Sequence, residues 1–486
     1  MRNVERDDAL AKRAKPQQGL FQRTARTLLR AGLLAGLSGC RGGDWDVEYV
    51  FLITCDTLRA DRLGLYGYAR QVSPRLDAFA AGALVFDEAY ACAPMTQPAV
   101  SSLLAGRLPT ELGAVPGNRR LMPPEVETLP EMLAEHGIET AAVVSNYVLQ
   151  KLPQMSAFGV SQGFAHFDDR LPDRESSRGL EERTAAHTTD AALEWLAGHF
   201  ARGGERCFLW VHYQDPHGPY TPPEDHARLF DGELGQERVP LGADKLGHRQ
   251  IPNYQQLDGS QQADLYRNRY DAEIHYFDAQ VGRLLDWLEA RGLLERALVI
   301  FSADHGEALG EHDYWFCHGE SLYRETVRVP FVVRTPAGVA LGAGRPGART
   351  DLPVSHLDVL PTVLEAFGLS VPRGIPGRSL LGKGPPPERI LTQVLLPSDK
   401  RTKWLAASDG RYRLVWNEAD GVKRLYDVRA DPGEERDVAS QHPERVAALW
   451  EVIGAAIASQ ESIEGADIEL DEKVRAALEA LGYGGG

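Results

Sequence analysis

The chain has 486 residues, of which 43% are hydrophobic and 25% charged. That composition excludes a disordered or fibrous protein and gives length for one large domain with a smaller one. A formal net charge of −16 excludes general affinity for nucleic acid.

The charge is unevenly spread. Residues 1–40 carry eight Lys/Arg against three Asp/Glu, and this leader ends in "RTLLRAGLLAGLSGC". A basic stretch, an apolar run from Ala31 to Gly39 and small residues before a cut describe a secretory signal. The ending Leu37-Ser38-Gly39-Cys40 has the form of a bacterial lipobox, so Cys40 is expected to become a lipidated N-terminus. The apolar run is too short to span a bilayer as a helix, which takes about 20 residues. The expected product is an exported lipoprotein, periplasmic or on the cell surface. The other cysteines, Cys55, Cys92, Cys207 and Cys317, show no zinc-ligand spacing. Cys55 and Cys207 lie in apolar runs and are expected to be buried and inert.

From residue 47 onward, apolar strands alternate with amphipathic helices. "VEYVFLITCD" (47–56) is nearly continuous apolar text, as for a strand covered on both faces. The same holds for "ETAAVVSN" (139–146), "RCFLWVHYQD" (206–215), "RALVIFSAD" (296–304) and "RVPFVVRTP" (328–336). Between them lie helical stretches such as "LPEMLAEHG" and "DAQVGRLLDWLEARG". The second places Val281, Leu284, Leu285 and Leu288 on one face and stops at Gly292. "PAVSSLLAGRLP" predicts a helix beginning just past Pro98. The alternation predicts an α/β fold with a large, mainly parallel mixed sheet between helices. Near residues 372–387 Pro and Gly cluster and the periodicity stops, which marks a boundary. Beyond it, short strands with turns at Asp409-Gly410 and Asp420-Gly421 precede a helix from about Pro443 to Ser459. The expected organisation is a leader over 1–40, a catalytic domain over 45–385, and a small antiparallel sheet-and-helix subdomain over 386–486.

Polar residues gather where strands end. Asp56 closes the first. "HYQDPHGPY" closes another with His212, Asp215 and His217. "ADHGEALGEH" closes a third with Asp304, His305, Glu311 and His312. In an open α/β sheet the carboxyl ends of the strands form the ligand crevice, so these groups are expected to converge. Asp and His donors suit one divalent cation, Ca, Mg, Mn or Zn. Two candidate nucleophiles, Cys92 and Thr96, precede the helix of "PAVSSLLAGRLP", whose positive dipole end favours an anionic ester.

With these landmarks in order, the chain resembles the sulfatase family of the alkaline phosphatase superfamily, from about residue 47 to the C-terminus. The resemblance rests on "DTLRADRLGLYGY" (56–68), "LLAGRLPTELG" (103–113), "YQDPHGPYTPP" (213–223), "RYDAEIHYFDAQVGRLLDWLE" (269–289), "SADHGEALGEHDYWFCHGESLYRETVRVPFVVRTP" (302–336) and "RLYDVRADPGEERDVA" (424–439). It implies a formylglycine precursor cysteine ten residues before the Gly of a Gly-Arg pair. Here that pair is Gly106-Arg107, so the position falls on Thr96, with the pattern's Pro on Pro98 and Val100 where the pattern has Arg. Cys92 stands four residues too early and is expected to be structural. Two more departures are Asp56-Thr57 for an Asp-Asp pair, and Val144-Ser145-Asn146 where Gly-Lys-Trp-His is expected. These changes remove sulfate-binding groups and spare the cation site. The resemblance implies Asp56, Asp304 and His305 as ligands, joined by Thr96. It implies His217 as the group that protonates the leaving oxygen. His318 lies roughly where the family has a substrate-contacting Lys, and His312 is a further candidate anion contact. Arg59 and Arg107 are expected to be structural. A threonine in this position is the choice of phosphate-handling relatives. The expected activity is metal-dependent hydrolysis of a sulfate or phosphate ester. The alternatives are transfer of a phosphoryl headgroup, or a binding protein that keeps the fold without turnover.

Overall fold

The eight-stranded central sheet runs in the order Arg349–Thr350, Leu84–Phe86, Phe331–Arg334, Ala297–Ala303, Tyr49–Cys55, Cys207–Tyr213, Glu139–Val144 and His166–Asp168. The computed structural model describes residues 47–112, 122, 125–151, 159–175, 181–232, 234–382, 391–395 and 402–460. The sheet is parallel except at Phe331–Arg334, which runs antiparallel to both of its neighbours. Every residue of Tyr49–Cys55, Cys207–Tyr213 and Ala297–Ala303 is buried. A strand buried on both faces has no polar side to alternate with, which is why these segments read as unbroken apolar runs. All five strands expected from the sequence form. The leader and its lipid-attachment position Cys40 lie outside the described residues, and no described helix is long and apolar enough to cross a membrane.

The predicted "DAQVGRLLDWLEARG" helix is the last part of a 27-residue helix, Ala263–Glu289, whose Val281, Leu284, Leu285 and Leu288 are buried as expected. Gly292, at φ +65°, follows it in the left-handed region that glycine takes without strain.

The C-terminal region forms a four-stranded antiparallel sheet, Leu391–Leu395, Trp404–Ser408, Tyr412–Asn417 and Lys423–Asp427. Its two faces follow the period of two. Trp404 and Ala406 pack with Tyr90 and Met95 of the main body. Leu405 and Ala407 pack with Leu449 and Ile453 of the Pro443–Gln460 helix. The sheet therefore supports the chain segment that leads into Thr96.

A buried ion pair ties the same junction. Arg413 Nη1 lies 2.7 Å from Glu434 Oε1, with neither side chain exposed. Arg413 also donates to the Leu322 carbonyl, and Glu434 Oε2 accepts from the Arg324 amide at 2.9 Å. Removing one partner strands the other charge in the interior. Arg413→Ala is expected to cost about 3–5 kcal/mol, read as a lowered midpoint in chemical denaturation.

Candidate active site

Register brings the site together. Cys55 pairs with Ala303 on one side and with Tyr213 on the other, so Asp56 and Asp304, each one residue further on, leave adjacent strand ends side by side. Thr54 pairs with His212, and side chains two apart share a face, which puts His212 in the row beneath Asp56. One ring nitrogen of His212 and one carboxylate oxygen each of Asp56 and Asp304 lie within 4.8 Å of one another, all buried.

Thr96 enters from a helix. The helix is Thr96–Ala105, three residues earlier than the sequence predicts. Pro98 falls inside the first turn, where its missing N–H would have no helical partner in any case. The helix ends at Gly106, φ +63°, whose added Cβ would come within 3.2 Å of the Leu360 side chain. Met95, not Thr96, occupies the cap position, and no side chain caps this helix end. The Thr96 hydroxyl faces the acids instead. Its Oγ1 donates to Asp56 Oδ2 at 3.3 Å and lies 3.3 Å from His305 Nε2.

His305 is oriented by the backbone. Its Nδ1 lies 2.9 Å from the Gly306 carbonyl oxygen and donates to it, which leaves the Nε2 lone pair toward the cluster. Nε2 stands 3.4 Å from Asp56 Oδ1 and 3.7 Å from Asp304 Oδ2. Gly306 lets the Asp304–Glu307 loop pass close to its neighbour, since a Cβ there would meet the Glu325 carbonyl oxygen at 2.1 Å. Asp304 Oδ1 accepts from the amides of His305 (2.6 Å) and Thr57 (3.2 Å).

The acids are costly as they stand. Burial pushes the Asp56 carboxyl well above its ordinary value, against the Asn146 hydrogen bond that lowers it. Burial, and then the adjacent Asp56, push Asp304 the same way. Burial holds His305 well below the usual histidine range and brings His212 down to about 3. Asp56 Oδ1 and Asp304 Oδ2 are buried without a hydrogen-bond partner. Two orphaned carboxylate oxygens, a hydroxyl and an imidazole lone pair form a donor set that fits one divalent cation, whose charge would remove the cost of burying the acids. Asp56, Asp304, His305 and Thr96 would hold it.

The other histidines divide. His318 Nδ1 lies 3.1 Å from Glu307 Oε1, and its ring centroid is 4.6 Å from that of His305 and 5.1 Å from that of His217. His217 Nδ1 lies 2.7 Å from the Gly218 carbonyl oxygen. His217 and His318 thus sit beside the cluster. His312 turns toward the C-terminal region instead: its ring stacks on Tyr323 at 3.6 Å and its Nε2 lies 2.9 Å from the Gly433 carbonyl oxygen. Cys92 is fully buried, and its carbonyl accepts from the Val394 amide at 2.8 Å. Arg59 is held by Asp61 and Glu311, and Arg107 lies 4.0 Å from Glu111. Cys55 and Cys207 are buried as expected.

The sequence profile of the Sulfatase family matches residues 48–369. The chain belongs to the sulfatase family. This sulfatase-family hydrolase is 28% identical to human arylsulfatase A over 487 residues, spanning 87% of this chain and 89% of that protein. Its fold is similar to that of BT4656 in complex with its substrate D-glucosamine-2-N,6-O-disulfate, with TM-score 0.68 and 17% identity over 86% of this chain and 99% of the other. It is also similar to the phosphonate monoester hydrolase of Silicibacter pomeroyi, with TM-score 0.66 and 20% identity over 84% and 94%.

Two members of the constellation escape sequence reading. Asn146 stands where the family pattern differs, yet its amide reaches Asp56. Glu307 sits two residues past His305 and holds His318. His212, expected at the crevice from its strand end, is placed beneath the acids by its pairing with Thr54.

Proposed function

We propose that this sulfatase-family hydrolase cleaves a sulfate or phosphate ester with Thr96 as nucleophile, and that phosphorus is the favoured centre. The observation that carries the reading is the Thr96 hydroxyl at 3.3 Å from both Asp56 Oδ2 and His305 Nε2, on the first turn of a helix it does not cap. A threonine cannot supply the aldehyde hydrate on which formylglycine chemistry depends. It can make a covalent phospho-enzyme.

A divalent cation bound by Asp56, Asp304, His305 and Thr96 would supply Lewis-acid polarisation and a lowered hydroxyl pKa. The chain's own residues do the rest. Thr96 Oγ attacks in line, forming its bond to phosphorus as the ester oxygen departs. Asp56 Oδ2, which accepts from the Thr96 hydroxyl at 3.3 Å, takes its proton. His217 donates from Nδ1 to the Gly218 carbonyl, so Nε2 faces the substrate and, in the imidazolium form, its N–H is the proton passed to the leaving oxygen. His318, fixed by Glu307, offers its other nitrogen to the bound anion. Water then cleaves the Thr96 ester. The likeness to a phosphonate monoester hydrolase supports the phosphorus reading, and the likeness to arylsulfatase A supports sulfur.

The test is a screen of nitrophenyl sulfate, phosphate monoester, phosphate diester and phosphonate with Ca, Mg, Mn and Zn. Turnover of the phosphorus esters above the sulfate supports the reading, and turnover of the sulfate alone overturns the preference. We further infer export with lipid attachment at Cys40, from "LSGC" behind an Arg-rich leader. Mass spectrometry of the mature protein is expected to show an acylated N-terminal Cys40, and an unprocessed Met1 would contradict it.

A further inference from the structure

We propose that His212 is not a cation ligand but a positioning residue, locked by a Trp210–Thr54 relay into the tautomer that presents an N–H to the Asp56 and Asp304 carboxylates. The proposal rests on the cation-site reading above and concerns which side chains complete it.

Proximity alone argues for ligation, since a His212 nitrogen lies within 4.8 Å of carboxylate oxygens of Asp56 and Asp304. Hydrogen-bond accounting argues against it. Trp210 and His212 lie two residues apart on one face of their strand, and both reach the Thr54 hydroxyl. The indole N–H, which can only donate, lies 2.8 Å from Thr54 Oγ1. Thr54 Oγ1 lies 2.9 Å from His212 Nδ1. Thr54 is fully buried, so its own proton needs an acceptor, and Nδ1 is the acceptor in reach. If Nδ1 donated instead, the buried hydroxyl proton would be left without an acceptor. The relay therefore runs from indole N–H to hydroxyl oxygen, and from hydroxyl O–H to Nδ1. The imidazole proton is left on Nε2.

Neither ring nitrogen then has a lone pair to give. Nδ1 spends its own on Thr54, and Nε2 carries hydrogen. Nε2 is buried without a partner, and so are Asp56 Oδ1 and Asp304 Oδ2. An unsatisfied donor and unsatisfied acceptors occur in one pocket, with a His212 nitrogen within 4.8 Å of both carboxylates, which places the N–H to orient the acids without a direct bond in this structure. The contrast with His305 sharpens the assignment. There Nδ1 donates to the Gly306 carbonyl and the lone pair is on Nε2, the ligand tautomer. Two histidines beside the same acids are held in opposite tautomers by their backbone and side-chain partners.

The roles separate by cation selectivity, measured by titration calorimetry on the metal-free full chain. A nitrogen ligand favours Zn over Ca, whereas a carboxylate-orienting donor supports both alike. His212→Ala is expected to weaken Ca and Zn binding by a similar factor, about 10–100-fold. His212→Gln, whose amide N–H substitutes for Nε2–H, is expected to restore most of that loss. Thr54→Val removes the relay and frees the histidine to change tautomer, so its Zn-to-Ca affinity ratio should rise, while Thr54→Ser stays as wild type. If His212→Ala does not fold, the Gln and Thr54 variants carry the test. A His212→Ala or His212→Gln loss much larger for Zn than for Ca, or a Thr54→Val ratio no higher than wild type, overturns the proposal. Wild-type protein that binds neither cation overturns the underlying cation-site reading itself.

Discussion

Thr96→Ala is expected to lower turnover by several orders of magnitude while leaving the fold in place. The hydroxyl is the group that would form the covalent bond to substrate, and no neighbouring side chain repeats it. A capping role would predict something different: about 1 kcal/mol of stability and little loss of rate. The structure already weakens that alternative, since Met95 holds the cap position and the Thr96 hydroxyl points to Asp56 and His305. Thr96→Ser is the informative companion, because it keeps the hydroxyl and should keep a measurable fraction of the activity. Cys92→Ala is the control. Cys92 is fully buried behind the segment and packs where its carbonyl meets Val394, so the variant should retain activity and lose some stability at most. Steady-state kinetics beside thermal melts separate these cases. Loss of activity in Cys92→Ala with retention in Thr96→Ala would return the nucleophile to the cysteine.

Much of this site was legible in the sequence because strand ends are legible. A strand buried on both faces announces itself as apolar text, and the first acid after it, Asp56 or Asp304, must emerge at the crevice. Thr96 was reachable by counting back ten residues from Gly106. What stayed hidden depends on partners distant in the chain. His212 is expected at the crevice from its strand end, but its link to Thr54 and its place beneath the acids come only from the strand pairing. Asn146 matters through a single amide aimed at Asp56. His312 shares the "LGEH" text with the ligand loop, yet its positive φ of 52° carries the ring away to Tyr323. The Leu391–Leu395 strand gave no alternation signal and becomes a strand because Trp404–Ser408 offers it an edge. Pro98 reads as a boundary, so the sequence predicts a later helix start, whereas a first turn tolerates proline.

Asp304→Asn is expected to invert the ranking of stability with and without a divalent cation. Asp304 has two distinct oxygens. Oδ1 accepts from the Thr57 and His305 amides, and an asparagine carbonyl accepts from both equally well, so the loop geometry survives. Oδ2 is buried without a partner beside Asp56, and this is the oxygen that the amide replaces. In chelator, the substitution removes one of two buried acids that burial pushes far above their ordinary range, Asp304 further by the adjacent Asp56, so the variant should melt no lower than wild type. In saturating cation the order should reverse. Wild type gains about 2.7 kcal/mol when the ion is at 100 times its dissociation constant. The variant, with one carboxylate fewer, should bind more than about 100-fold weaker, beyond the 10–100-fold that loss of an outer partner costs. It then gains almost nothing at the same ion concentration. Activity should follow binding and fall to background in both the variant and the chelated wild type. Paired melts in chelator and in Ca, Mn or Zn read out the crossing. A wild-type melting temperature that no divalent ion moves would show that these acids serve some purpose other than holding a cation.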